Sequence, residues 1–163
     1  MTTSQPVWRR ASTLSIGGAL AFWVANFAIS LTPMAAEYRA ALSIPYLPML
    51  GASLIGGLVV GLGVAYPLVR VGGGRRRPPI VTSLGLSVVA LAIVTVVIEG
   101  PATVLTTMTD PLRYFLFDAL FNTLRILALG AVIGALYARS PAAAPLRTGW
   151  TKPPPSGTGV RPS

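Results

Sequence analysis

Near the middle of the last long apolar stretch, FDALFNTLRILALG (Phe117–Gly130) carries an aspartate, an asparagine and an arginine among leucine, isoleucine and alanine. Asp118, Asn122, Arg125 and Leu129 are spaced by four, three and four residues, which places them on one face of a helix. A carboxylate near a guanidinium inside a membrane suits two kinds of chemistry. One is a protonatable site, Asp118, tuned by Arg125, as in ion-coupled carriers. The other is a static packing lock, and it is the preferred reading because Asp118 stands only about one turn (~5 Å) inside the helix boundary.

An unpaired arginine at a helix centre costs about 2.5–3.5 kcal/mol on insertion scales and about 10–17 kcal/mol in simulations of an isolated helix. The polar face must therefore turn inward, to a partner or a wet cavity. Asp118 lies about 10 Å from Arg125 along the axis, at about 1.5 Å per residue, with Asn122 placed to bridge the gap. The first apolar stretch offers Asn26 near mid-depth and Ser30 one turn further on the same face. If these two helices run in opposite directions, Asn26 and Arg125 meet near the midplane. The expected polar network is Asn26, Ser30, Asp118, Asn122 and Arg125.

The elements that position these residues follow from composition. The 163-residue chain is 53% hydrophobic and 10% charged, against about 25% charged in a soluble domain. Its apolar residues fall in runs rather than at amphipathic periods. A bilayer core of about 30 Å needs about 20 apolar residues per helix. Four runs meet that length, at Leu14–Met34, Tyr46–Val69, Pro79–Ile98 and Tyr114–Ala138. The fold class is all-α, an integral-membrane four-helix bundle. Short connections predict up-down-up-down order.

Residues 1–13 form an N-terminal lead, 14–138 the membrane domain and 139–163 a tail rich in proline and poor in aliphatic residues, expected to be disordered. Arg9 and Arg10 precede an apolar run longer than a signal-peptide core, and no small-x-small cleavage pattern follows, so the first helix is read as uncleaved.

Orientation is read from the basic residues. Ten of the thirteen lie at the N-terminus, in the link between the second and third helices, or in the tail. The opposite side holds only Arg39 and Arg113, with Glu37, Glu99 and Asp110. Both termini are expected in the cytoplasm, and the chain in the plasma (inner) membrane. Arginine supplies twelve of the thirteen, a usage associated with high-GC bacterial genomes. Arg75, Arg76 and Arg77 in GGGRRRPP anchor the link and can contact anionic headgroups. No aromatic platform accompanies them, which argues against nucleic acid.

Within lipid, helices associate through close backbone approach and polar contacts. The second helix carries Ser53, Gly57, Gly61 and Ala65 at four-residue spacing, and the last repeats the device at Gly130, Gly134 and Ala138. The first offers Gly17, Ala21 and Ala25, while the third, almost wholly aliphatic, is expected to be the most lipid-exposed.

The chain has no cysteine and no histidine. That excludes disulfides, thiolate nucleophiles, Cys/His metal sites and histidine acid–base chemistry. The three outer acids read as ordinary loop carboxylates rather than a catalytic group. The expectation is a non-enzyme with no cofactor or metal. It is a small accessory or assembly protein whose partners are membrane lipids and either another membrane protein or further copies of itself. The alternative is an oligomeric transporter or channel for ions or small solutes, built on Asp118 and Arg125.

Overall fold

The computed structural model describes residues 6–71, 78–99, 101 and 110–140. All the regular structure among the described residues is helical: α1 (Val7–Ser30), α2 (Pro33–Ala41), α3 (Tyr46–Val71), α4 (Pro79–Val94) and α5 (Pro111–Arg139). A π-helical turn, Thr95–Glu99, extends α4. Four helices are long and apolar enough to cross a membrane, at Val7–Ser30, Tyr46–Val71, Pro79–Ile98 and Pro111–Arg139. They mark a multi-pass membrane protein. Arg75, Arg76 and Arg77, with the tail beyond Ser140, lie outside the described residues.

The first span differs from expectation at both ends. It starts at Val7 rather than Leu14, because Arg9 and Arg10 sit within the helix. The Arg10 guanidinium reaches the Ser140 hydroxyl at 3.0 Å and lies over the Tyr137 ring. Its flexible stem carries the charge to the helix end without breaking the backbone.

The span stops at Ser30 rather than Met34 because Pro33 forces the residue before it out of the helical region. Thr32 is extended, and its hydroxyl accepts the Ala35 N–H at 3.3 Å, so it caps a new helix, α2. That helix ends with Ser43 in the left-handed region (φ 52°). There the Ile44 N–H returns to the Arg39 carbonyl at 3.0 Å and the Ser43 N–H to Ala40 at 3.3 Å, a Schellman closure. The turn folds Ile44 back beneath α2.

α1 packs mainly on α3 and α5, and α5 also packs on α4; α3 and α4, consecutive in the chain, share a smaller contact. The buried core joins Ala11, Leu14 and Phe22 of α1, Val64, Ala65 and Leu68 of α3, and Ile126, Leu129, Ile133 and Tyr137 of α5. The small residues of α3 face α1. A side chain on Gly57 would lie 3.2 Å from Phe22, and one on Gly61 would lie 3.1 Å from the Ser15 carbonyl. Ala65 is fully buried, whereas Ser53 at the head of the stripe is half-buried and bonds within its own helix.

On α1 the close-approach face is Ser15, Gly18, Ala19 and Phe22. Of the expected Gly17, Ala21 and Ala25, all half-buried, Gly17 also meets a neighbour, since a side chain on it would run into Leu136 of α5. α4 is the least buried of the four spans, and its few inward residues are serines. Ser83 and Ser87 are fully buried against Gly130 and Gly134 of α5. Leu20, Val24, Ile55, Val59, Val88 and Ile93 point outward, as lipid requires.

Candidate functional site

The candidate site begins with Arg125 on α5. Its Nε–H donates to the Phe121 carbonyl one turn earlier at 3.0 Å, which pins the guanidinium along the helix. Its Nη1 donates to Asn26 Oδ1 of α1, also at 3.0 Å. Nη2 stands 3.7 Å from Asp118 Oδ1, an ion-pair distance beyond hydrogen-bond range. The Phe22 ring of α1 lies beneath the guanidinium, 5.7 Å from ring centre to Cζ. The side chains of Arg125 and Asp118 are 15% and 25% exposed. The pair is therefore screened far less than a surface pair of the same spacing.

The contacts between α1 and α5 pair early residues of one helix with late residues of the other. Arg10 meets Ser140, Gly18 faces Ile133, and Asn26 meets Arg125. Asn26 is 4% exposed. Its Oδ1 is held by the guanidinium, and its Nδ2 has no hydrogen-bond partner among the described residues.

Ser30, one turn further along α1, donates to the Phe27 carbonyl at 2.6 Å and lies 3.2 Å from the Tyr46 hydroxyl of α3. Its own carbonyl, orphaned at the helix end, accepts from Arg39 Nη1 at 3.0 Å. Asn122 is half-buried on the same helix as Asp118 and Arg125.

Two residues of this site, Tyr38 and Arg39, come from α2, which is absent from the four-span reading. The Tyr38 hydroxyl hydrogen-bonds Asp118. Its ring packs against Phe121 and Tyr114 with centres 6.0 and 6.2 Å apart. Arg39 stands over the Tyr46 ring at 5.1 Å. The signal that could have found α2 is Thr32-Pro33, a capping residue followed by proline at the first helical position.

Together these side chains enclose a cavity of about 170 Å³. Its polar wall is Asn26, Ser30, Arg39, Asp118 and Arg125, and its apolar wall includes Ile29, Ile44, Met49 and Phe121. No protein-family profile, curated protein or solved structure matches this chain. What the site does must therefore be argued from its own geometry.

Glu37 and Asp110 serve locally. Glu37 pairs with Arg113 at 2.8 Å, both side chains about half-exposed at 44% and 51%. Asp110 caps α5 by accepting the Arg113 N–H at 3.4 Å. Among the described residues no three acids gather as a metal site.

The arrangement can do two things. It can hold α1 to α5 through a charge-assisted hydrogen bond, and it can receive a small polar molecule beside that bond.

Proposed function

We propose that this chain is a small plasma-membrane protein of the accessory or assembly type. In this reading it is an up-down-up-down bundle with both termini in the cytoplasm, held in register by the Asn26–Arg125 contact. The observation that supports it best is that the central arginine is met from within the fold. Asn26, the Phe121 carbonyl and Asp118 surround the guanidinium. A charge so placed orders two helices and leaves apolar outer faces for lipid and for another membrane protein. Its size, its short connections and its lack of histidine and cysteine agree with a binding role.

The carrier reading keeps one specific observation in its favour, the cavity flanked by Asp118 and Arg125. Affinity capture of the tagged full chain in mild detergent separates the two. An accessory protein should bring down a defined membrane protein that re-forms a stoichiometric complex with the purified chain. A carrier should instead move charge or solute when reconstituted alone in liposomes, and that result would replace the accessory reading.

Orientation has its own test, since the chain has no native cysteine. Gly73→Cys should resist an impermeant reagent added outside the cell, and Thr106→Cys should react. The reverse pattern would overturn the cytoplasmic placement of the termini.

A further inference from the structure

The cavity beside the lock has features that the lock does not need. Holding α1 to α5 uses Asn26 and Arg125; Arg39, which reaches the Ser30 carbonyl, and the apolar side chains of the same cavity take no part in it. Arg39 uses its Nη1 on the Ser30 carbonyl and carries further N–H donors and no acceptor, so an acceptor suits the space beside it.

The charge of the wall narrows what that acceptor is. Arg39, Arg125 and Asp118 all line it, two cations to one anion, and Asp118 stands 3.7 Å from Arg125, which leaves the charge of Arg39 unbalanced. A single negative charge balances the wall, whereas a dianionic phosphate would set its second charge against Asp118. A carboxylate is acceptor-only, with two oxygens, and meets both demands.

The other wall sets the body of the ligand. Ile44, Met49 and Phe121 are apolar. A cavity of about 150 Å³ takes a molecule the size of benzene, so 170 Å³ accommodates a carboxylate with a body of a few carbons. We propose that this cavity binds a monocarboxylate on a short apolar stem. Its carboxylate accepts from Arg39, the cation that Asp118 does not offset, and its stem lies against Met49 and Phe121.

Such a group has two sources. It can be a free short-chain acid from the aqueous side, or the head end of a fatty acid whose chain continues into the bilayer. This site stands beside the lock rather than replacing it. The test reads ligand binding, whereas the lock is read by stability without ligand, so either can fail alone.

The test uses the purified full chain in nanodiscs and measures equilibrium binding of sodium butyrate, sodium phosphate, butanol and palmitate. Butyrate should bind saturably, and phosphate and butanol at least about tenfold more weakly. If palmitate binds and butyrate does not, the same chemistry stands and its source is the membrane. Two variants tie binding to the cavity without touching the Asn26–Arg125 bond. Met49→Trp fills the apolar wall, and Arg39→Gln removes one cation while keeping a donor for the Ser30 carbonyl. Each should weaken the bound acid about tenfold or more, with unliganded melting as the check on folding. Three results would overturn the proposal: no binding by either acid, phosphate binding as well as butyrate, or binding undiminished in both variants.

Discussion

Toward the start of α1 and the end of α5, helices meet closely through glycine and serine, with Arg10 lying over Tyr137 at the very end; at the α2 end they touch through arginine, asparagine and aromatic rings. In the first region a side chain on Gly134 would come within 2.7 Å of the Ile80 Cα, so the two backbones are nearly in contact. Serine hydroxyls there cross to neighbouring backbones, Ser15 to the Leu58 carbonyl at 2.9 Å and Ser83 to the Gly130 carbonyl at 2.7 Å. In the second region Asn26, Asp118, Phe121 and Arg125 line a cavity of about 170 Å³. The contrast teaches that the closest backbone approaches and the housed charge of Arg125 lie at different levels of the bundle. One end is built to be dense, the other to hold polar groups.

The contrast predicts its own largest failure at Arg125. Arg125→Leu leaves Asp118 in the membrane without its cation and strips Asn26 Oδ1 of its donor. Breaking one side of a buried pair costs about 3–5 kcal/mol, so detergent unfolding should show a loss of that order. The same change in an Asp118→Leu background should cost clearly less, and the double-mutant cycle isolates the coupling. Coupling near zero would mean that Arg125 relies on Asn26 and not on Asp118.

The dense end should fail next, by crowding. Gly134→Ile drives a branched side chain into the Ile80 backbone, and Gly61→Ile does the same at the Ser15 backbone. Overpacking of this kind costs about 1–3 kcal/mol. Unchanged unfolding in both variants would show that these helices do not meet as closely as described.

Much of this was legible in the residues themselves. The four spans follow from apolar length, and the Gly57–Gly61 stripe follows from spacing, because both signals are local. The Asn26–Arg125 contact needed one further step, equal depth on helices that pair early residues with late ones, and the structure places those two atoms 3.0 Å apart. The α1 face was legible only in part: Gly17 does meet Leu136 of α5, but the buried residues mix Ser15 and Phe22 with Gly18. Size alone does not select a face when a large ring can lie on a glycine across the interface, as Phe22 does on Gly57. The α2 residues escaped for another reason. A nine-residue helix carrying Glu37 and Arg39 has no apolar run to detect, and nothing in its spacing shows that Tyr38 returns to Asp118. That is a tertiary fact.

Smaller in effect is the loss of one cross-helix hydroxyl. Ser83→Ala removes the 2.7 Å bond to the Gly130 carbonyl while keeping the close fit against α5. Interhelical hydrogen bonds in membranes are worth about 0.6 kcal/mol on average and up to about 2. The variant should therefore unfold slightly earlier but fold normally. A loss as large as that of Arg125→Leu would contradict the view that the dense end rests on packing more than on polar contacts.

The smallest effect is expected at a glycine two residues from a crowded one. Gly63 lies on the same helix as Gly61, but a side chain there would meet no atom within 4 Å. Isoleucine at Gly63 would point outward, and replacing glycine within a helix also removes a backbone-entropy penalty of up to about 1 kcal/mol. Surface changes away from special features stay within about 0.5 kcal/mol, so Gly63→Ile should leave unfolding nearly unchanged or slightly improved. Because Gly61→Ile adds the same side chain to the same helix, the pair separates crowding from any general effect of a β-branched residue. Particle size in mild detergent is the second measurement. If Gly63→Ile keeps its stability but the particle becomes smaller, the outward face of α3 meets another chain rather than lipid. The contrast between the two ends would then omit a third contact surface, one that a single chain cannot display.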